Sequence, residues 1–444
     1  MIVLYLVLSI VLIILLTARW KIYPFISLLL VAILYGMLAG MPLAQIVSSI
    51  NDGFGSTLGK IGIIIVLGII IGAFLENSGG AYMLAEKVLA IIGKKRVLPA
   101  MGITGYIVSI PVFADSGYLL LSPLNKSLTK RAGLSLSGTA IALALGLSTS
   151  HALVPPTPGP VAIAGILNVD IGLFIMLSIP ISIFALLPCL FYASKFVSKT
   201  YIDPNFSHHA DETPAQIAEA PSAFKSSLPI IVPIMLMLLK SVISLLSTDL
   251  NAGLVSFISF IGEPVIALLI GVFLAVLLPK KLHFEKMLST SGWVGKALND
   301  SASIILITGA GGIFGKVLQN SGIADLLGRA LADINLSIWL PFLLAAAIKT
   351  AQGSSTVAMI TVASIMVPLM DSLGFDTEIK KTLVGIAISA GSLVFCHAND
   401  SYFWVVTQLS GMDVKTGYRL LSFGTVILGC SAGLATFLAF IFIS

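Results

Sequence analysis

Two stretches of the sequence align without a gap: Gly68-Ile-Ile-Ile-Gly72-Ala-Phe-Leu75-Glu76-Asn77-Ser78-Gly79 and Gly311-Gly-Ile-Phe-Gly315-Lys-Val-Leu318-Gln319-Asn320-Ser321-Gly322. At nearly the same offset, Ser150-His151-Ala152 falls on Cys396-His397-Ala398. Such self-similarity indicates that the chain is built from two copies of one unit. We therefore expect two repeats, residues 1–198 and 227–444, joined by a polar linker at residues 199–226 that contains Asp203-Pro204 and Thr213-Pro214.

The amino-acid composition indicates whether these repeats are surrounded by water or by lipid. Of 444 residues, 57% are hydrophobic and only 10% are charged, and the mean hydropathy is +1.05, whereas a soluble domain carries about a quarter charged residues. These values exclude a soluble enzyme. Continuous apolar runs, such as 59–76 and 254–278, each predict one helical crossing and are not the alternating segments of a β-barrel. The expected fold class is an all-α polytopic membrane protein.

Charge and cysteine placement exclude other classes of function. The formal net charge is +5, but Lys and Arg occur in short clusters between apolar runs, which is typical of topology signals and not of a nucleic-acid surface. The three cysteines, Cys189, Cys396 and Cys430, stand in apolar segments without CxxC spacing, and we interpret them as packing residues. No metal or cofactor is expected.

Two apolar segments, 97–130 and 337–372, are too long for one crossing and are interrupted midway. Basic clusters flank the first segment on both sides, and such clusters prefer the cytoplasm, so this segment is predicted to be a re-entrant hairpin. The same rule places the linker in the cytoplasm. With an odd number of crossings per repeat, the second repeat is inverted, which puts hairpin 337–372 on the outer side.

Two further segments, 134–167 and 381–410, are predicted to be discontinuous transmembrane helices. The first contains four prolines in residues 155–160, which cannot remain helical. Unwinding leaves free N–H groups at the start of the next half-helix, and these suit a carboxylate. Inverted repeats with broken helices are the architecture of secondary transporters, and the sequence has no GxxxxGK[ST] motif for ATP.

Ionisable residues at membrane depth are the first candidates for function, because their insertion is costly. Asp115 lies at the first hairpin tip, and Asp400 lies at the second break together with His397. His151, at the first break, is the repeat partner of His397. Either histidine could handle protons, bind hydroxyls or simply bond to a carbonyl. Two more candidates are Lys349 and Glu76. Lys349 could pair with an anionic substrate or with Asp400, or extend to the interface, and Glu76 is either a proton site or a residue at a helix end.

Hydroxyl and amide groups complete the predicted substrate site: Thr157, Ser354, Ser355, Thr356 and Asn399. The hydroxyls at the second hairpin tip could also be ordinary helix caps. A dyad of Ser354 or Ser355 with His397 would instead make an intramembrane hydrolase, but the serines lack a GxSG context and the repeat would be unexplained. An ion channel is a third class.

The assembled motifs resemble those of the gluconate permease family, the GntP-type proton symporters. The resemblance covers nearly the whole chain and rests on residues 53–62, 75–81 and 110–117, and above all on His151-Ala152-Leu153-Val154-Pro155-Pro156-Thr157-Pro158-Gly159-Pro160. It implies uptake of gluconate or a related hydroxy acid with protons in the bacterial inner membrane, by a homodimer that works by an elevator motion. Relatives that look alike carry D-serine or other small acids. Asp115, Asp400 and Glu76 are the proton-coupling candidates.

Overall fold

The computed structural model describes residues 2–93, 96–204, 220–246, 252–322 and 336–443. Residues 205–219 of the predicted linker lie outside this part of the chain. The regular elements of the described residues are helices. Six of these helices are long and apolar enough to cross a membrane, or seven if one bent pair counts as a single span.

The first repeat contains nine helices within its described residues. Their bounds are α1 Ile2–Ile14, α2 Pro24–Leu38, α3 Leu43–Asn77, α4 Gly80–Ile92, α5 Val97–Val108, α6 Ala114–Arg131, α7 Leu136–Leu153, α8 Pro158–Leu167 and α9 Ile171–Lys195.

The second repeat has a similar order of elements. Its described helices are α10 Ala223–Leu246, α11 Ala252–Ile261, α12 Pro264–Val276, α13 Phe284–Leu288, α14 Trp293–Asn320, α15 Trp339–Gln352, α16 Ser355–Met366, α17 Glu378–Gly391, α18 Ser401–Leu409, α19 Val414–Gly417 and α20 Phe423–Ile443. Helix α10 begins about one turn inside the segment that the sequence predicts as linker.

The two repeats are inverted with respect to each other, as the packing of α3 on its repeat partner α14 shows. Near the start of α3, Ser49 Oγ accepts a hydrogen bond of 2.8 Å from Asn320 Nδ2 at the end of α14. One turn further along α3, Gly53 contacts Gly312, which lies two turns before the end of α14. Equivalent helices therefore run in opposite directions.

Glycines allow this close approach. A Cβ on Gly53 would lie 2.5 Å from the Gly312 carbonyl oxygen, and a Cβ on Gly312 would lie 2.5 Å from the Gly53 carbonyl oxygen. Small residues let helix backbones meet in lipid, where hydrophobic burial gives no drive to associate. In the copied motif, Gly68 packs on the Pro156 carbonyl and Gly311 packs on Ile360 of α16. The glycine-rich repeat is thus a packing surface against the elements that carry the site.

Each repeat contains a hairpin of short helices, as predicted. Helices α5 and α6 are separated by a non-helical tip at residues 109–113, and α15 and α16 by Gly353 and Ser354. Helices α5, α15 and α16 have 12, 14 and 12 residues, which is well short of the roughly 20 residues of a crossing, and α6 has 18. The tips therefore end inside the protein.

Each hairpin is followed by a broken helix, which also matches the prediction. The first consists of α7 and α8 with a break at residues 154–157, and the second of α17 and α18 with a break at residues 392–400. Nearly all of α7 and residues 382–391 of α17 are buried, with leucine, isoleucine, alanine and glycine on every side. Burial on all faces puts both broken helices at the centre of the protein.

One predicted crossing is bent. Segment 254–278 forms α11 and α12, which meet at 61°. Glu263 stands between them in an extended conformation and binds Lys240 Nζ at 2.6 Å, while Pro264 begins α12. Because proline removes a backbone donor and Glu263 is held by its ion pair, the helix cannot continue straight.

Candidate functional site

A cavity of about 450 Å³ lies where the two hairpin tips and the second break meet the last turn of α7. Eight of the predicted site residues line it: Asp115, His151, Lys349, Ser354, Ser355, Thr356, Asn399 and Asp400. Ligand pockets for small molecules usually measure about 300–1,000 Å³. Residues up to 285 positions apart in sequence thus form one site of suitable size.

A buried ion pair connects the second hairpin to the second break. Lys349 Nζ donates a hydrogen bond of 2.7 Å to Asp400 Oδ2, and the lysine side chain is only 1% exposed. The same carboxylate accepts from Cys396 Sγ at 3.3 Å and, through Oδ1, from the Tyr402 backbone N–H at 3.0 Å. Of the partners the sequence left open for Lys349, the structure selects Asp400.

Asp115 faces this pair from the other repeat. It lies in the first turn of α6, and its Oδ1 accepts a hydrogen bond of 3.4 Å from Ser401 Oγ, at the start of α18. The described cavity lining therefore carries two carboxylates and one ammonium, which is already paired. A proton on one carboxyl group would make this set of side chains electrically neutral.

Three helices begin at the cavity: α6 at Ala114, α16 at Ser355 and α18 at Ser401. Free backbone N–H groups at helix N-termini give a partial positive charge and bind anions. Part of this capacity is already used, because Ser354 Oγ accepts from Val357 N at 3.3 Å and Asp400 caps α18. The remaining N–H groups suit a carboxylate.

Several polar atoms in the wall have no hydrogen-bond partner within the described protein. They are His151 Nδ1, Gln352 Nε2 and Asn399 Oδ1, all buried. Buried polar atoms are almost always paired in proteins, so unpaired ones need an explanation. All three residue types, His, Gln and Asn, both donate and accept, which matches the hydroxyl groups of a polyol chain.

The tip of the second hairpin is fixed against the second break. Gly353 has φ +91°, and a Cβ there would overlap the Asn399 carbonyl oxygen. Asn399 Nδ2 donates to the carbonyl oxygens of Thr350 at 3.0 Å and Ala351 at 3.3 Å, and His397 Nε2 bonds to Thr350 at 2.7 Å. Only glycine fits at position 353.

Comparison with known proteins identifies the family. The profile described as GntP family permease matches residues 1–442. The chain belongs to this family of permeases. It is 37% identical to an uncharacterized permease of Haemophilus influenzae, over 96% of this chain and 89% of the relative. It is 35% identical to the gluconate permease of Pseudomonas aeruginosa, over 91% of this chain and 90% of the relative.

A solved structure supports the architecture of the permease. The YdaH transporter of Alcanivorax borkumensis matches with a TM-score of 0.66, over 95% of this chain and 98% of that chain, at 14% identity. At this identity the likeness concerns the fold alone. The family membership and the apolar helices make the chain a multi-pass inner-membrane transporter and not an enzyme.

Three predicted site residues of the permease lie outside the cavity lining. Thr157 Oγ1 donates to the Val154 carbonyl at 2.7 Å and stabilises the first break. His397 bonds to the hairpin backbone and packs on Tyr418, so neither Ser354 nor Ser355 is its partner. Glu76 lies in the last turn of α3.

Sequence reasoning missed other lining residues of the permease. Cys396, interpreted as a packing residue, is buried but its thiol reaches Asp400. Gln352 precedes the hairpin tip, and Tyr402 donates to the Ala144 carbonyl at 2.9 Å across the repeat boundary. The available signal was position, since Cys396 lies four residues before Asp400 and Gln352 three residues after Lys349. Among the described residues, no His, Cys, Asp or Glu cluster could hold a metal ion.

Proposed function

We propose that this permease imports gluconate or a closely related small hydroxy acid together with protons. The observation that carries the proposal is the charge of the central cavity, where Asp115 adds a second carboxylate to the Lys349–Asp400 pair. A bound carboxylate would bring a further negative charge into a poorly hydrated space. Protonation of one acid removes that repulsion, so substrate and proton favour each other's binding.

The cavity also suits the shape of a sugar acid. The substrate carboxylate would lie at the N-termini of α16 and α18, where free backbone N–H groups compensate its charge. Its hydroxyl groups would pair with His151 Nδ1, Gln352 Nε2 and Asn399 Oδ1, the three buried atoms that lack partners among the described residues. The gluconate permease of Pseudomonas aeruginosa, similar over nearly the whole chain, supports this substrate class.

Asp115 is the proposed proton carrier, because Asp400 is already held by an ammonium, a thiol and a backbone N–H. Linkage requires reciprocity, so a proton that raises substrate affinity is itself bound more tightly in the presence of substrate. Glu76 is the remaining candidate for the proton carrier, because it does not belong to the Lys349–Asp400 pair. Its repeat partner is neutral Gln319, so Glu76→Gln is a natural comparison variant.

Accumulation of radiolabelled gluconate in proteoliposomes, with internal pH recorded, tests the proposal. An inward proton gradient should drive accumulation and acidify the lumen as substrate enters. Asp115→Asn should abolish accumulation but keep gluconate counterflow, whereas Glu76→Gln should keep both. Accumulation that ignores the proton gradient would contradict coupling. Selective uptake of D-serine or C4 dicarboxylates in place of aldonates would contradict the substrate.

The homodimer and the elevator motion implied by the family resemblance stay predictions. Cross-linking in native membranes through single engineered cysteines would test the dimer. A monomer active in nanodiscs would contradict it.

A further inference from the structure

A second pocket, of about 470 Å³, lies between the antiparallel helices α3 and α14 and the end of α8. In the orientation predicted from the basic clusters, this pocket opens on the outer side of the membrane. Helix α8, which has 10 residues and a length of about 15 Å, leads from the pocket to the first break. Three lysines on three different helices line it: Lys60, Lys316 and Lys381. We infer that this outer pocket is an anion-binding subsite that captures the carboxylate of the substrate before it reaches the central cavity.

The charge balance of the outer pocket is positive. Its described lining contains one acid, Asp371, whose Oδ1 lies 3.6 Å from Lys381 Nζ. Lys60 Nζ donates to Asn168 Oδ1 at 2.8 Å, and Lys316 Nζ donates to Gln319 Oε1 at 3.2 Å. Each ammonium has three donors, so both lysines are held in place and still have donors to offer an anion.

The fold itself does not require these lysines. At the offset that aligns residues 68–79 with 311–322, Lys60 and Lys316 correspond to Ser303 and Ala73. At the offset that aligns His151 with His397, Lys381 corresponds to Ser135. The equivalent positions on the inner side are therefore neutral, although the cytoplasmic side is where lysine is favoured. At these three positions lysine therefore lies on the side where membrane topology disfavours it.

The walls leave room for a ligand. Gly53, Gly311, Gly312 and Gly315 form one side, and Ser56 and Asn168 add polar groups. A cleft of one charge sign raises the local concentration of the opposite ion and speeds its capture. This inference rests on the proposed function for the identity of the anion, but the positive potential of the pocket can be measured separately.

A cysteine reporter measures that potential directly. Ser56 is exposed in the outer pocket, whereas Cys189 is buried and Cys396 lies in the wall of the central cavity. Labelling of Ser56→Cys in a Cys430→Ser background is therefore measured against the Cys430→Ser protein alone. Intact cells are treated with membrane-impermeant methanethiosulfonates, one anionic and one cationic. The anionic reagent should react faster. The triple variant Lys60→Gln, Lys316→Gln, Lys381→Gln should lower the ratio of anionic to cationic rate about tenfold.

Lys380 provides the matched control. It neighbours Lys381 on α17 but bonds to Asp376 at 2.9 Å and does not line the pocket. Lys380→Gln should change the rate ratio less than about twofold, because its charge is already paired and screened. Equal effects of the two variants, or labelling that occurs only in inside-out vesicles, would overturn the inference.

Substrate protection and transport complete the test. At fixed ionic strength, gluconate should slow labelling of Ser56→Cys more than chloride or sorbitol does, and equal protection by chloride would overturn the subsite. The triple variant should lower kcat/KM for entry from outside several-fold while leaving kcat unchanged, and entry from the cytoplasmic side should be unaffected. If the parent protein transports no gluconate, the proposed function fails, while the ratio of labelling rates still reports on the pocket.

Discussion

Lys349 and Asp400 join the second hairpin to the second break by an ion pair of 2.7 Å in which the lysine is almost completely buried. Burying two charges gives little net stability, but removal of one partner leaves the other charge uncompensated. The pair therefore fixes both the geometry and the charge of the cavity.

Breaking this pair should destabilise the protein. Lys349→Met is expected to lower the free energy of unfolding by about 3 kcal/mol, because Asp400, which is only 15% exposed, loses its cation. Thermal unfolding in detergent would measure the change. The double variant Lys349→Met, Asp400→Leu should regain most of the stability but remain inactive in transport. Uptake by the double variant would show that the pair has no role in the site.

Substrate affinity should depend on external pH. If Asp115 must be protonated for the substrate carboxylate to bind, KM for gluconate falls as pH falls, and transport weakens as pH rises. Asp115→Asn removes this dependence, because the amide is neutral at every pH. Initial rates of gluconate counterflow, measured from about pH 5.5 to about pH 8.5, give the dependence of KM on pH for the parent and the variant. A variant that keeps the parental profile would exclude Asp115 as the carrier.

Gly353→Ala should abolish transport with little change in expression. The added Cβ would overlap the Asn399 carbonyl oxygen and force the hairpin tip away from the second break. Gly374→Ala is the matched control, since Gly374 also has positive φ, at +78°, but no neighbour within 4 Å. The control should lose only about 1–2 kcal/mol of stability and keep its KM.

Gly53→Leu should separate the two antiparallel helices. Its side chain would meet the Gly312 backbone, so we expect a fall in thermal stability, together with loss of uptake. Gly55→Leu, two residues away with open space around it, should leave both nearly unchanged. A stable and active Gly53→Leu protein would contradict the packing of α3 on α14.

Much of the architecture was predictable, because proline, glycine and polar residues interrupt long apolar runs at a few places only. The tip around Asp115 and the prolines 155–160 were visible in this way. The length of α3 was not predictable from the sequence. The sequence suggested a crossing at 59–76, whereas the helix begins at Leu43. Its first half contains Gln45, Asn51 and Asp52, which lower the hydropathy of a segment that is helical through its packing on α14.

Pairings between residues far apart in the chain could not be predicted from the sequence. Lys349 and Asp400 are 51 positions apart, and the sequence offered no way to choose between a substrate and an acid as the partner of the lysine. Thr157 was chosen for its hydroxyl, but that hydroxyl closes a turn with Val154. Local spacing identifies polar atoms at a break, while only the tertiary structure shows which of them face the cavity.

The contribution of both repeats to one cavity has a consequence for how the gene can be divided. If the gene is cut between the codons for residues 205 and 219, it encodes two polypeptides. The first contains Asp115 and His151, and the second contains Lys349 and Asp400. Neither fragment alone contains all the residues of the binding chamber. Uptake should return only when both fragments are expressed in the same cell, and a cell that imports substrate with one fragment would show that the chamber is not shared.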